Sequence, residues 1–373
     1  MTLMAMDTAC NNSRWVGKLA VVILPVKPPT SAGILLSYKC TGECRHCMYA
    51  CSPKWSNRWM SVDDLRIVLE ALAPCVVPAS PKGYVGINEG LHFTGGEPFL
   101  NYELLKEAVK LAEELGYPSV FVETNCYWCV NEDIARERFS ELRELGLEGV
   151  LVSANPFVVE HVPLKRILAG LRAAYEVFGR GNAMVYHPVY LDLLLRLGVE
   201  GTLSFEDYLR EASRRDPRAL LAGFNPSILL PMGRLPYTVG HLYRRYPAKA
   251  FFGESCLYEL TRPWHVHVDC FRNYIPGYCA GISLGDAARL DEVVAGVDLD
   301  DKPVLKALAT DIRSLYDLAV EHGYRERGKG YVSKCHLCLD IRTFLALEVG
   351  GFSELKPLEF YERMREVGAG GRY

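Results

Sequence analysis

Two hydrophobic patterns alternate along the first half of the chain and predict a repeating order of strands and helices. Short continuous apolar runs are typical of buried strands, whereas apolar residues spaced three or four apart mark one face of a helix. The strands are predicted at residues 34–37, 91–94, 119–123, 149–153 and 183–186. The helices are predicted from the N-cap Ser61 to Pro74, from the N-cap Asn101 to Gly116, and at residues 131–145 and 164–178.

The spacing of these elements predicts the class of fold. Successive predicted strands in residues 91–153 begin about thirty residues apart, which is the size of one βαβ unit. Such units imply a parallel sheet that is either doubly wound or curled into a barrel. The pattern weakens after residue 191. Residues 191–223 are predicted to be helical, 224–236 to hold a last strand and its loop, and 302–322 to form a helix.

Composition narrows the function without identifying it. The 373 residues are 49% hydrophobic and 23% charged, which is typical of a globular protein with a substantial core. The net charge of −3 gives no support for a nucleic-acid partner. We expect a cytoplasmic protein, because the sequence contains no apolar run of membrane-spanning length and no signal-peptide layout. The thirteen cysteines then favour metal or cluster ligation over disulfides.

Three of these cysteines, Cys40, Cys44 and Cys47, form a compact C-x3-C-x2-C motif after the first predicted strand. Thiolates at this density select zinc, copper or iron–sulfur clusters. Three thiolates leave one iron of a cubane cluster without a protein ligand, and that position can bind a substrate. The alternatives are a structural zinc site and a ferredoxin-type cluster that recruits Cys51 as its fourth ligand.

A second motif, Thr-Gly-Gly-Glu-Pro at residues 94–98, follows the next predicted strand. Loops that follow neighbouring parallel strands meet at one edge of a sheet, so the two motifs are expected to lie together. The paired glycines Gly95 and Gly96 allow a ligand to approach the backbone closely.

The pair of motifs closely resembles the radical S-adenosylmethionine (SAM) superfamily over roughly residues 34–190. The resemblance implies an α/β fold with a partial (β/α)6 TIM-type barrel. It also implies that Cys40, Cys44 and Cys47 hold a 4Fe-4S cluster whose fourth iron binds SAM. The expected contacts to SAM come from Gly95, Gly96 and Glu97 to the methionyl amine and from Ser153 to the ribose or carboxylate, with Glu123 and Asn125 as weaker candidates. One departure is His46, where the family often has a plain aromatic residue.

A second group of cysteines lies in the C-terminal third of the chain. It resembles the SPASM or twitch extension of radical SAM enzymes, which binds an auxiliary 4Fe-4S cluster. The matching residues are Cys256, Cys279, Cys335 and Cys338, with Cys270 as a spare that could replace one of them. Zinc on the same four thiolates, or two disulfides, are the alternatives. An auxiliary cluster could ligate substrate or accept an electron after hydrogen abstraction.

Other candidate residues carry weaker signals. Cys126 and Cys129 could form a redox pair or a disulfide, but a packed, inert pair is at least as good an interpretation. His265 and His267 alternate with valines as in a half-buried strand and are interpreted as ordinary packed histidines. Arg234 could bind a carboxylate or phosphate, or be a solvated side chain. His161 and His187 are low-grade site candidates.

These inferences predict three regions: an N-terminal extension at 1–33 (a leader or an edge strand), a radical SAM partial barrel at 34–236, and a SPASM/twitch-like region with C-terminal helices at 237–373. The predicted enzyme cleaves SAM reductively to a 5′-deoxyadenosyl radical, which abstracts hydrogen from an unactivated C–H bond. The expected product contains a new C–C or C–S bond. The substrate is expected to be a peptide or protein, or a lipid-like molecule that brings peripheral membrane contact. The electron donor is expected to be a ferredoxin or flavodoxin. A non-catalytic iron–sulfur or zinc scaffold is the alternative.

Overall fold

A computed structural model describes residues 15, 16, 19, 20 and 22–370, and its centre is one seven-stranded sheet. The strands are β1 (Ala32–Leu35), β2 (Leu91–Thr94), β3 (Val120–Thr124), β4 (Gly149–Val152), β5 (Ala183–Val185), β6 (Val266–Val268) and β7 (Tyr274–Pro276). Their spatial order is β7-β6-β1-β2-β3-β4-β5. The six strands β6, β1, β2, β3, β4 and β5 pair with their neighbours in parallel. In this sheet only β7 is antiparallel, and it pairs with β6. The sheet is open at β7 and β5, as the predicted partial barrel requires.

Four amphipathic helices make the crossovers between the first five strands. They are α1 (Val62–Leu72), α2 (Tyr102–Glu114), α3 (Glu132–Glu144) and α4 (Leu164–Phe178), and a short helix at Pro156–Val159 precedes α4. The predicted caps are confirmed, because Ser61 accepts a hydrogen bond from Asp64 N and Asn101 accepts one from Leu104 N. Each helix has a buried apolar face. Because the strands that they connect run parallel, the carboxyl ends of these strands lie at one rim.

The prediction of a last strand at residues 224–236 is wrong. This segment consists of turns, which Asn225 stabilises by accepting hydrogen bonds from Ser227 and Ile228, and Pro231 follows them. The sixth parallel strand is instead β6, which pairs with β1 on the other side of the sheet. Strands from both sides of residue 236 therefore share one sheet, and the division into three regions stays a prediction.

The rest of the described chain is mainly helical. The predicted helix at 302–322 is two helices, because Asp311 is extended and its carboxylate caps the second one through Arg313 N. The helices outside the crossovers are Pro188–Arg196, Phe205–Arg215, Pro217–Gly223, Leu235–Thr238, Leu257–Thr261, Leu290–Ala295, Pro303–Thr310, Ile312–Glu321, Lys334–Phe344 and Leu358–Gly370.

Short strand pairs are found where the sequence predicts a leader or an edge strand. Trp15–Val16 pairs with Leu19–Ala20, and Ile23–Leu24 pairs with Val297–Asp298. Residues 1–14, 17, 18 and 21 of that predicted region lie outside the described residues. Among the described residues, no helix has the length and apolar character to cross a bilayer.

Candidate active site

The rim of the sheet opens into a cavity of about 410 Å³. Its walls are the loops that follow β1, β2, β3 and β4, together with residues from the segment that precedes Leu235–Thr238. Eight of the nine residues predicted to bind the first cluster or SAM line it: Cys40, Cys44, Cys47, Gly95, Gly96, Glu123, Asn125 and Ser153. The structure thus brings together residues that are more than one hundred positions apart.

The cysteine loop is held in place by Arg234, a residue whose role the sequence did not reveal. Arg234 is buried, and its guanidinium donates hydrogen bonds to the carbonyl oxygens of Cys44 (2.9 Å) and Cys51 (2.5 Å). Its backbone N–H donates to Cys47 O at 3.1 Å. The prediction of a solvated side chain is therefore wrong, because this arginine is buried, binds main-chain carbonyls and positions the loop. Its contact with an anion stays a prediction.

The glycine motif packs directly against the backbone that leads into the cysteine loop. Gly96 N donates to Ser37 O at 2.7 Å, and Glu97 N donates to Lys39 O at 3.0 Å. A Cβ on Gly96 would lie 1.8 Å from Lys39 O, so no larger residue fits there without a shift of one strand end. This contact fixes the glycine motif against the cysteine loop.

Glu97 is the one predicted SAM contact that does not line the cavity. Its buried carboxylate accepts hydrogen bonds from Thr124 Oγ1 (2.9 Å) and from the Asn125 and Phe99 N–H groups. Burial raises its pKa to about 7, although these hydrogen bonds oppose the shift. The geometry gives Glu97 a positioning role at the end of β3, and its contact with SAM stays a prediction.

Two polar residues at the end of β3 line the cavity, and one of them borders a cysteine. Asn125 Nδ2 lies 3.8 Å from Cys40 Sγ and donates to Thr41 Oγ1 at 3.0 Å. Glu123 accepts a hydrogen bond from Thr94 Oγ1 at 2.6 Å, and burial raises its pKa. His46, the departure from the family pattern, stacks on Phe157 with ring centroids 4.6 Å apart at the cavity wall.

The thiols of the loop differ in acidity. Burial raises the pKa of Cys40 to about 12 and raises that of Cys44 well above its usual value. The pKa of Cys47 is lowered to about 6, chiefly because the Cys51 side chain hydrogen-bonds to it, and the Arg234 charge adds to this effect. Thiolates are the ligand form for iron, so the nearby guanidinium suits an anionic cluster site.

The four C-terminal cysteines that the sequence grouped together line a second cavity: Cys256, Cys279, Cys335 and Cys338. Cys335 and Cys338 lie one turn apart on the helix Lys334–Phe344, and Cys279 follows β7 in a turn closed by its N–H to Pro276 O. Arg342, one turn further along that helix, donates to Cys338 Sγ at 3.3 Å. Met48 and Tyr278 line both cavities, so the two cysteine sites are neighbours.

The other cysteines lie apart from this second group. Cys270 is buried near Tyr38 and Asp269 and does not line the second cavity. Cys51 donates to Gly95 O at 3.4 Å and lines the first cavity beside Cys47. Cys126 and Cys129 are free and buried, and a Cβ on Gly170 would meet both sulfurs, as expected of a packed pair.

Three histidines are placed at the site against expectation. His265 and His267, interpreted from the sequence as ordinary packed residues, line the first cavity together with His92. Their alternation with Val266 is the signal that puts both on one face of a strand. Of the two low-grade candidates, His187 lines the cavity, whereas His161 packs beneath Gly42 in the cysteine loop.

Comparison with known proteins agrees with this arrangement. The family model of the Radical SAM superfamily matches residues 34–189, which span β1 to β5 and both motifs of the first site. Residues 34–189 are therefore similar to the radical SAM superfamily. The chain is also similar to the "Putative peptide biosynthesis protein YydG" of Bacillus subtilis, with 23% identity over 133 residues. That match spans 36% of this chain and 37% of the relative.

Solved structures similar to this chain include anSMEcpe with bound AdoMet and BtrN in complex with AdoMet and 2-DOIA. The anSMEcpe match has 12% identity and a TM-score of 0.43, and it covers 92% of this chain and 97% of that one. The BtrN match has 14% identity and a TM-score of 0.40, with coverage of 76% and 88%.

Proposed function

We propose that this radical SAM enzyme modifies a peptide, with one 4Fe-4S cluster on Cys40, Cys44 and Cys47 and an auxiliary 4Fe-4S cluster on the four C-terminal cysteines. When bound, the reduced first cluster and SAM supply a 5′-deoxyadenosyl radical that removes a hydrogen atom from the substrate. The observation that carries the proposal is the shared cavity, which collects the three thiols, the glycine backbone and polar groups from four successive strand ends.

The chain's own residues support this chemistry by position. Arg234 holds the cysteine loop, and Gly96 fixes the glycine motif against it. Asn125 borders Cys40, and Ser153 and Glu123 offer polar atoms further along the rim. Met48 and Tyr278 separate the first site from the second, so an electron released at the substrate has a short route to an auxiliary cluster. That route favours a net oxidation such as C–C or C–S bond formation.

Cluster binding fits the cysteine geometry better than zinc binding. Tetrahedral zinc with Zn–S bonds of about 2.3 Å would bring its thiolates to about 3.8 Å from one another. Among the described residues, one group of three possible metal ligands has its ligand atoms within 4.8 Å of one another, and its members are all histidines. In the described part of the chain, three or more sulfurs of either cysteine group do not gather within that distance, so neither group is preformed for tetrahedral zinc.

The lining of the cavity favours a peptide over a lipid. A lipid needs a long apolar channel, but this cavity carries imidazole, carboxylate, amide and hydroxyl groups from His46, Glu123, Asn125, Ser153 and Ser227. The name of the relative YydG points to the same class of substrate. A ferredoxin or flavodoxin is the expected electron donor, and membrane contact would accompany only the lipid alternative.

The test is anaerobic reconstitution with iron, sulfide, dithionite and SAM, followed by chromatography of 5′-deoxyadenosine. We expect slow formation of this product by the protein alone and faster formation when a peptide fraction from the source cells is added. Faster formation of 5′-deoxyadenosine with a lipid extract of the same cells, and not with the peptide fraction, would overturn the peptide assignment. A protein that holds iron but forms no 5′-deoxyadenosine would be a scaffold, contrary to the proposal.

A further inference from the structure

The register of the sheet gathers three imidazoles on one face. Gly33 in β1 pairs with His92 of β2 on one side and with His267 of β6 on the other. Paired residues of neighbouring strands project to the same face, and His265 shares that face because it lies two residues before His267. All three histidines are buried, and all three line the active-site cavity.

The ring nitrogens converge to the separation that one metal ion requires. One nitrogen from each of the three rings lies within 4.8 Å of the others, and His265 Nε2 is 3.4 Å from His267 Nε2. Tetrahedral zinc with Zn–N bonds of about 2.0–2.1 Å places its ligand nitrogens about 3.3 Å apart. Small rotations of the rings would therefore complete the coordination.

Neighbouring groups orient two of the rings for ligation. His267 Nδ1 lies 2.9 Å from Gly277 O, and a carbonyl oxygen only accepts, so Nδ1 carries the hydrogen and Nε2 has the free lone pair. His265 Nδ1 lies 2.9 Å from Ser31 Oγ, which leaves its Nε2 facing that of His267. A partner on the outer nitrogen is the usual second-sphere arrangement of a metal-binding histidine.

His92 is the third ring, and it lacks any hydrogen-bond partner. It is 3% exposed, yet neither Nδ1 nor Nε2 has a partner in the described structure. A buried polar nitrogen without a partner is costly, and a metal ion would satisfy one of these two atoms. Glu123 Oε1 lies 3.7 Å from His92 Nε2, so a carboxylate is available to balance the charge of a cation or to act as a fourth ligand.

The backbone of β1 carries a glycine, Gly33, at the position where the histidine rings pack. A Cβ on Gly33 would lie 2.4 Å from His92 Nε2 and 2.7 Å from His267 Cδ2. The glycine in the middle of β1 therefore reserves the space that the imidazoles occupy.

We propose that His92, His265 and His267 bind one divalent transition-metal ion, zinc in the first instance, at the floor of the active-site cavity. Three neutral imidazoles suit zinc, and the fourth position would be left for Glu123 or for an oxygen atom of the substrate. The site is separate from both cysteine groups and does not depend on the radical chemistry proposed above. It would give the cavity a Lewis acid that can hold a carbonyl or carboxylate group.

The test uses the anaerobic holoenzyme with its cysteine sites loaded, to which one equivalent of ZnCl2 is added before gel filtration and metal analysis. We expect about one zinc per chain, and X-ray absorption at the zinc edge should show nitrogen and oxygen ligands at about 2.0–2.1 Å. His92→Gln and His267→Asn should lower zinc retention about tenfold or more while iron content is unchanged. His322→Ala, which alters an exposed histidine, is the matched control.

Two results would overturn this inference. One is wild-type protein that retains no zinc, or retains it through sulfur ligands. The other is zinc retention by the His92 and His267 variants equal to that of wild type. Because the wild-type absorption spectrum is decisive alone, the inference remains testable even where a variant does not fold, and neither result bears on 5′-deoxyadenosine formation.

Discussion

The two cysteine sites of this protein are neighbours, but they are built differently. The first is a single short loop whose three thiols face a cavity that also exposes several polar side chains, and it is held by contacts from distant backbone and from Arg234. The second collects four thiols from three separate segments, on either side of β6 and β7 and on the helix Lys334–Phe344, around a largely apolar cavity. A three-thiol site with polar surroundings suits the binding of a substrate at the metal, whereas a four-thiol site suits electron transfer.

The largest expected difference between the two sites is in SAM cleavage. Cys44→Ala should abolish 5′-deoxyadenosine formation and remove about four iron atoms per chain, because the first cluster loses a ligand. The measurements are product chromatography and iron analysis of reconstituted protein. Full product formation by this variant would show that SAM is activated elsewhere.

The matching change at the second site should have a different result. Cys338→Ala should also lose about four iron atoms, yet uncoupled SAM cleavage should stay within about tenfold of wild type, or about 1.4 kcal/mol in the barrier. Turnover of the substrate should be lost, since the electron acceptor is gone. Equal loss of SAM cleavage in both variants would remove the distinction between the sites.

A variant of Arg234 tests whether contacts from a distant part of the chain hold the cysteine loop of the first site. Arg234→Met leaves the carbonyls of Cys44 and Cys51 without their donor, at a cost of about 1–3 kcal/mol each. We expect faster loss of the first cluster to a chelator and a decrease in SAM cleavage of about 10- to 100-fold. Arg234→Lys should rescue only partly, because an ammonium lacks the guanidinium fork.

The control for that experiment is Arg289→Met, which alters an exposed arginine paired with Glu292. Its chelation rate and SAM cleavage should equal those of wild type. A similar decrease in both arginine variants would mean that Arg234 has no specific role in the cysteine loop.

A variant of Gly96 tests whether the close packing of the glycine motif against the cysteine loop is needed for SAM binding. Gly96→Ala places a Cβ 1.8 Å from Lys39 O, so the end of β2 must move away from the cysteine loop. We expect SAM affinity to fall about tenfold or more, measured by equilibrium dialysis with the cluster intact. Gly201→Ala is the control, because nothing lies within 4 Å of its added Cβ, and unchanged affinity in both variants would contradict this role.

The smallest effect is expected at Cys270. It is buried beside Tyr38 and Asp269 and does not line the second cavity. Cys270→Ala should therefore keep the iron content and electron paramagnetic resonance (EPR) spectra of wild type, with a loss of stability of about 1 kcal/mol. Loss of iron would make this cysteine a ligand in place of one of the four.

The sequence predicted the parts of the protein that rest on short-range patterns. Strands, crossover helices and caps follow from local periodicity, and α4 lies at the predicted bounds. The first site was predictable for the same reason, since its cysteines and glycines follow two consecutive strands. The four C-terminal cysteines were grouped through resemblance to a family, and the structure brings the same four to one cavity.

Long-range contacts explain what sequence analysis missed. Arg234 reaches back 183 and 190 residues to the carbonyls that it binds, and no spacing rule predicts such a contact. His265 and His267 meet His92 only because β6 pairs with β1, whereas the last parallel strand was expected at 224–236. The break at Asp311 between two helices depends on one extended residue, which a continuous apolar pattern conceals.

The most direct test of the two-site account is EPR spectroscopy of the reduced Cys44→Ala and Cys338→Ala proteins with and without SAM. Each variant retains one cluster, so each spectrum reports one site. The account predicts that SAM changes the spectrum of Cys338→Ala, which keeps the first cluster, and leaves that of Cys44→Ala unchanged. A SAM-induced change in Cys44→Ala, or none in Cys338→Ala, would contradict the claim that the first site alone binds SAM.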